Sequence, residues 1–176
     1  MDNLKMSKRV KILVYLTVLM MTACNPALNW REISLNGTMI KGMFPCKPDL
    51  FQRVIEIKGQ FARMNMLSCS VRDTQFALAY VELGELNDVP VVLLNWQFSS
   101  LGNIKANINR REPFLSKDKV WTESAIKVEA TGQKPNGDKL EVNLFWFSID
   151  KTIFQGSVYA KHRDRDAVET FSELRK

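Results

Sequence analysis

The 176 residues carry 25 Lys and Arg against 19 Asp and Glu, a formal charge of +6, with three cysteines and a single histidine. The charges are scattered, as in KHRDRD at 161–166, without the concentrated basic face of a nucleic-acid binder, which argues against nucleic acid as a partner. The chain is long enough to bury one core of its own, and neither internal repeat nor low-complexity stretch divides it.

The first element is a targeting signal. Lys5, Lys8, Arg9 and Lys11 precede ILVYLTVLMMTA, an uncharged run too short for a spanning helix, which needs about twenty apolar residues. Met6 serves as well as Met1 for a start, since MSKRVK is basic by itself. The stretch LMMTAC at 19–24 resembles a bacterial lipobox: Ala23 and Cys24 match, and Met21 stands where leucine is usual. The resemblance implies cleavage before Cys24 and acylation of that cysteine. An ordinary signal peptide cut after Ala23, leaving a free thiol, and an uncleaved anchor stay open as alternatives. Asn25 rather than aspartate after the cysteine implies, by resemblance to other lipoproteins, placement in the outer membrane facing the periplasm of a two-membrane bacterium. Removing 23 of the 176 residues leaves 153, and the net +3 of the leader leaves +3 of the original +6.

Residues 24–36 read as an acylated N-terminus and tether, and 37–176 as one domain. Asn36-Gly37 marks a turn into TMIKGMF, the first expected strand. It ends at FPCKP, where Pro45 and Pro48 stop it. If Cys24 carries lipid, Cys46 and Cys69 remain as a pair in an oxidising compartment, and a disulfide between them is the economical reading. A metal site with His162 lacks ligand spacing, and no metal or cofactor is expected. FQRVIEIKG, ARMNMLSCSVR and TQFALAYVEL follow as strands of an antiparallel meander.

Asp88 caps and Pro90 opens an expected helix, with Leu94, Phe98, Leu101, Ile104 and Ile108 on its inner face. After a loop around REPFLSKDK, the strands SAIKVEATGQ and KLEVNLFWFSID flank the hairpin signal Asn136-Gly137, and KTIFQGSVYAK adds another. Trp146, in an apolar run, belongs to the core. DRDAVETFSELRK closes as a helix with Ala167, Val168, Phe171 and Leu174 on one face. The expected fold is α+β: an antiparallel sheet of about seven strands in the order ββββ-α-βββ-α, packed against helices.

The meander, the FPCKP segment, the central helix with Trp96 and the terminal FSELRK together resemble small bacterial envelope proteins with an FPxKP element, of the Mog1/PsbP-like fold. That resemblance spans about residues 30–176. It implies a non-catalytic adaptor, chaperone or assembly factor, although a fold does not dictate a function.

Chemistry-bearing motifs are scarce. His162 lies in a hydrophilic junction without a nucleophile turn, and there is no phosphate-binding Gly-rich loop. Glu82, Glu85 and Asp88 are explained by helix capping, and no enzyme activity is expected. Lys47 at a pocket mouth and Phe114 with Trp121 on an exposed patch are the candidate binding residues, the two rings serving equally well as a plug under the sheet. The expectation is a lipid-anchored envelope protein that binds another envelope component. The alternative is a carrier or sensor of a small apolar or anionic ligand held between sheet and helix.

Overall fold

The computed structural model describes residues 27–57, 59–85, 88–115 and 124–176. The signal segment, Cys24 and Trp121 lie outside the described residues. Two antiparallel sheets and two helices make a mixed, mostly β fold. The elements are β1 (Arg31–Ser34), β2 (Lys41–Phe44), β3 (Asp49–Ile57), β4 (Gln60–Val71), β5 (Thr74–Glu82), α1 (Val89–Asn103), β6 (Asn107–Pro113), β7 (Ile126–Gln133), β8 (Lys139–Ile149), β9 (Thr152–Ala160), α2 (Arg165–Ser172) and β10 (Leu174–Arg175).

The large sheet has seven strands in the order β3-β4-β5-β9-β8-β7-β6, and the small one is β1-β2-β10. β8 sits near the centre because KLEVNLFWFSI is apolar on both faces. Trp146, Leu144 and Val142 point to the α1 side, packing with Val92, Leu93, Val81 and Ile153. Phe145 and Phe147 point to the other side, where α2 and the small sheet cover them. There Phe147 stacks on Phe154 at 4.5 Å, its cross-strand partner, and Phe171 of α2 meets Phe44 and Phe76 edge-on. Each such fully buried ring contributes about 1.5–3 kcal/mol. The centre tolerates no thickening: a Cβ on Gly156 of β9 would lie 1.9 Å from the ring of Phe145 opposite.

The turns follow their sequence signals. Gly137 closes the β7–β8 hairpin with φ +90, its N–H donating to the carbonyl of Lys134, and Gly37 turns at φ +76. Cys46 and Cys69 are bonded, with Cα atoms 6.1 Å apart, so the segment before β3 is stitched to β4.

Four expectations change. Residues 31–34, read as tether, form β1 and pair with β2, and Leu28 and Trp30 already pack against the core. α1 begins where Asp88 accepts a hydrogen bond from the Val91 N–H, but it buries Val92, Leu93 and Gln97, leaving Leu94 and Phe98 outside. A helix without a charged residue offers two apolar stripes, and the periodicity alone does not choose between them. The helix stops at Asn103, and Ile108 falls in β6, whose polar sequence NINRREP hides a strand. α2 ends at Ser172, so Leu174 is buried as part of β10 rather than as a helix position.

Candidate binding surface

The two outer strands of the large sheet are about equally exposed and carry three charged residues each, but differ in their apolar content. β6 carries Arg110, Arg111, Glu112 and Pro113, with a register irregularity between Ile108 and Arg110 and an Arg110–Glu112 ion pair at 2.7 Å. Charge, proline and a bulge are the usual devices that stop an edge from recruiting another strand. β3, DLFQRVIEI, pairs with β4 in unbroken register from Asp49 to Ile57, without proline or bulge.

The side chains of this edge are apolar on both faces. Phe51 is 52% exposed and Val54 67%, and Phe61 at the start of β4 reaches 79%. Alternation along the strand places Leu50 and Val54 on the face of Leu67 and Cys69, and Phe51 on the α1 face beside Met66. On that α1 face, register sets Phe51, Met66, Ala79 and Gln155 in one row across β3, β4, β5 and β9. Gln155 meets α1 directly: its Oε1 accepts from Ser100 Oγ at 2.6 Å and from Trp146 Nε1 at 2.8 Å. With strands about 4.8 Å apart, the row leads from the β3 edge to the foot of α1 over roughly 14 Å. α1 adds an outward stripe of Val91, Leu94 and Phe98, the last 65% exposed, on a helix without a single charged residue.

The residues expected to bind are placed differently. Lys47 is exposed in the link between β2 and β3. Phe114 is 6% exposed and stacks on Phe145 at 4.6 Å, so it is the plug under the sheet and not a contact patch. His162 is exposed beside Arg163, whose guanidinium donates to Glu129 Oε2 at 2.6 Å and Glu141 Oε2 at 2.9 Å, tying the start of α2 to β7 and β8. Leu93, Trp146, Val142 and Leu144 are buried between α1 and the sheet. Two surface depressions, about 650 and 690 Å³, open at opposite ends of the sheet.

Two tyrosines are shifted. Burial pushes the Tyr80 phenol up, and its hydroxyl donates to the Asn36 carbonyl at 2.9 Å. Burial also raises Tyr159, partly opposed by a hydrogen bond with Ser157. Among the described residues no group of three His, Cys, Asp or Glu side chains could hold a metal ion, and no helix is long and apolar enough to cross a membrane. The chain matches no family model, and no curated protein matches its sequence.

The β3 surface carried a signal that went unread: an edge strand with Leu50, Phe51, Val54, Ile55 and Ile57 is apolar on both sides, as central strands are.

Proposed function

We propose that this is an envelope protein anchored by acylation of Cys24, acting without catalysis by binding another envelope component along the β3 edge. The observation that carries the reading is the nine-residue edge strand, free of proline and bulge, with exposed Phe51, Val54 and Phe61 among its three charged residues. Such an edge accepts an extended segment of a partner as an added strand: main-chain hydrogen bonds give affinity, and alternate side chains give selection. The placement of helices on both faces of one antiparallel sheet supports the resemblance to the Mog1/PsbP-like fold. The disulfide between Cys46 and Cys69 suits an oxidising compartment and so supports export to the periplasmic side of an outer membrane.

A photo-crosslinking amino acid at Val54 or at Arg110, in living cells, tests the binding surface. A recurrent protein adduct from position 54 and none from 110 is expected; no adduct at 54, or equal adducts at both, refutes it. Radiolabelled palmitate is expected to enter the wild type and not Cys24→Ser, and label in both or neither removes the anchor.

A further inference from the structure

The domain has two ends as well as two edges, and they differ in charge. Strand register brings the β4–β5 turn at Arg72 and Asp73, the β7–β8 hairpin and the end of β9 to one end of the large sheet. The exit of α1 joins them, since the Gln133 N–H donates to the Ile104 carbonyl at 2.9 Å. Arg72, Lys105, Lys134, Lys139 and Lys161 are all exposed there. Of the acids at this end, Asp138 accepts from Asn136 Nδ2 at 2.9 Å and Asp164 caps α2, while Lys47 with Asp49 and Arg165 with Asp166 offset one another. Asp73, Asp138 and Asp164 keep their charges against these five cations, and Arg163 is shared between Glu129 and Glu141. Arg72 and Lys105 sit at φ +52 and +48, positions where glycine or asparagine would be easier, so long cations are held at the turn tips. Among the described residues, the opposite end carries Glu56, Glu82, Glu85 and Asp150, against Lys151, which pairs with Glu85, and Lys176.

The chain enters the fold at the basic end. Ala27 and Leu28 line the same depression as Arg72 and Lys161, Leu28 packs on the core, and the Asn29 N–H donates to the Pro45 carbonyl at 2.8 Å. From Cys24 to Leu28 the chain takes four steps, past Asn25, Pro26 and Ala27, and reaches about 14 Å when extended. An acylated Cys24 therefore holds this end within about one to two Debye lengths of the lipid surface, where basic side chains feel anionic headgroups. We propose that the basic end of the sheet rests on the anionic headgroup surface of the bilayer, with Arg72, Lys134 and Lys161 as its principal contacts. The proposal rests on the lipid-anchor reading for proximity, and on the charges for orientation.

The test uses the full chain, bound to vesicles through its acyl anchor, with a fluorescent coumarinyl amino acid replacing Asn136 in one variant and Glu56 in another. Headgroup-labelled nitroxide lipid is added to phosphatidylcholine vesicles with or without phosphatidylglycerol. Quenching several-fold stronger at 136 than at 56, greater with phosphatidylglycerol and reduced by salt, is expected. The exposed triple substitution Arg72→Gln, Lys134→Gln, Lys161→Gln should bring it down to the phosphatidylcholine level. Equal quenching at the two positions overturns the orientation, and an unresponsive triple variant overturns the charge recognition. Palmitate labelling reports separately on the anchor. Should Cys24 prove unacylated, a maleimide lipid coupled to its thiol supplies the tether, and the same comparison decides the proposal.

Discussion

β3 and β6 border the same sheet, are exposed to a similar degree and carry three charged residues each, yet β3 sets Leu50, Phe51, Val54, Ile55 and Ile57 among them where β6 has Ile108. Exposure alone therefore does not set the composition of an edge. β6 shows that this fold tolerates a border strand with a single large aliphatic residue, a bulge and a proline. The apolar share of β3 is thus not demanded by the architecture, and under the binding proposal a contact made along it accounts for the difference.

The strongest way to break the contrast is to cut the clamp beneath β3. Replacing Cys46 and Cys69 by serine removes a bridge across 23 positions, worth about 3 kcal/mol in the loop-entropy account. Denaturant unfolding should show that loss, and hydrogen exchange should rise in β3 and β4 before β6 responds. A comparable or slightly smaller loss belongs to the centre of the sheet. Gly156→Ala drives a methyl into the Phe145 ring and is expected to cost about 1–3 kcal/mol, weakening both edges alike. Phe51→Ser and Phe61→Ser should leave stability within about 0.5 kcal/mol while abolishing crosslinking from position 54, whereas Ile108→Ser on β6 should alter neither.

The smallest effect concerns pH and separates the buried centre from both edges. Tyr80 has a phenol raised by burial above its ordinary 10.0, so above pH 10 the unfolded chain releases a proton that the folded chain retains. Stability from this group is complete below pH 10 and falls as pH rises toward the folded value. Tyr80→Phe should flatten that decline in urea titrations, at a constant cost of about 1 kcal/mol for the hydrogen bond to Asn36.

The middle of the fold was legible because its signals were redundant. β4, β5, β8 and β9 have apolar runs, the hairpin has Asn136-Gly137, and α1 has a capping Asp88 followed by Pro90. Legibility failed where a residue's role depends on what lies beside it. REIS and LR are too short to show a period, and they are strands only because β2 lies between them. NINRREP looks like a loop until β7 pairs with it. Val92 and Leu93 versus Leu94 and Phe98 are equivalent on an uncharged helix, and the sheet alone decides which pair is inside. Phe114 was legible as an apolar loop ring, but only the presence of Phe145 above it makes it a plug.

The small sheet sets an order of assembly. β2 lies between β1, its near neighbour in the chain, and β10, which is separated from it by the whole of the large sheet. Leu174 fills space against Gly42, closing over Phe44 and Phe171 in the same cluster. A chain delivered N-terminus first, from a ribosome or through a translocation pore, thus holds an incomplete layer until residues 174 and 175 emerge. β10 acts as a latch, and removing its pairing with β2 should leave a protein whose large sheet is present but whose aromatic face stands open to proteases.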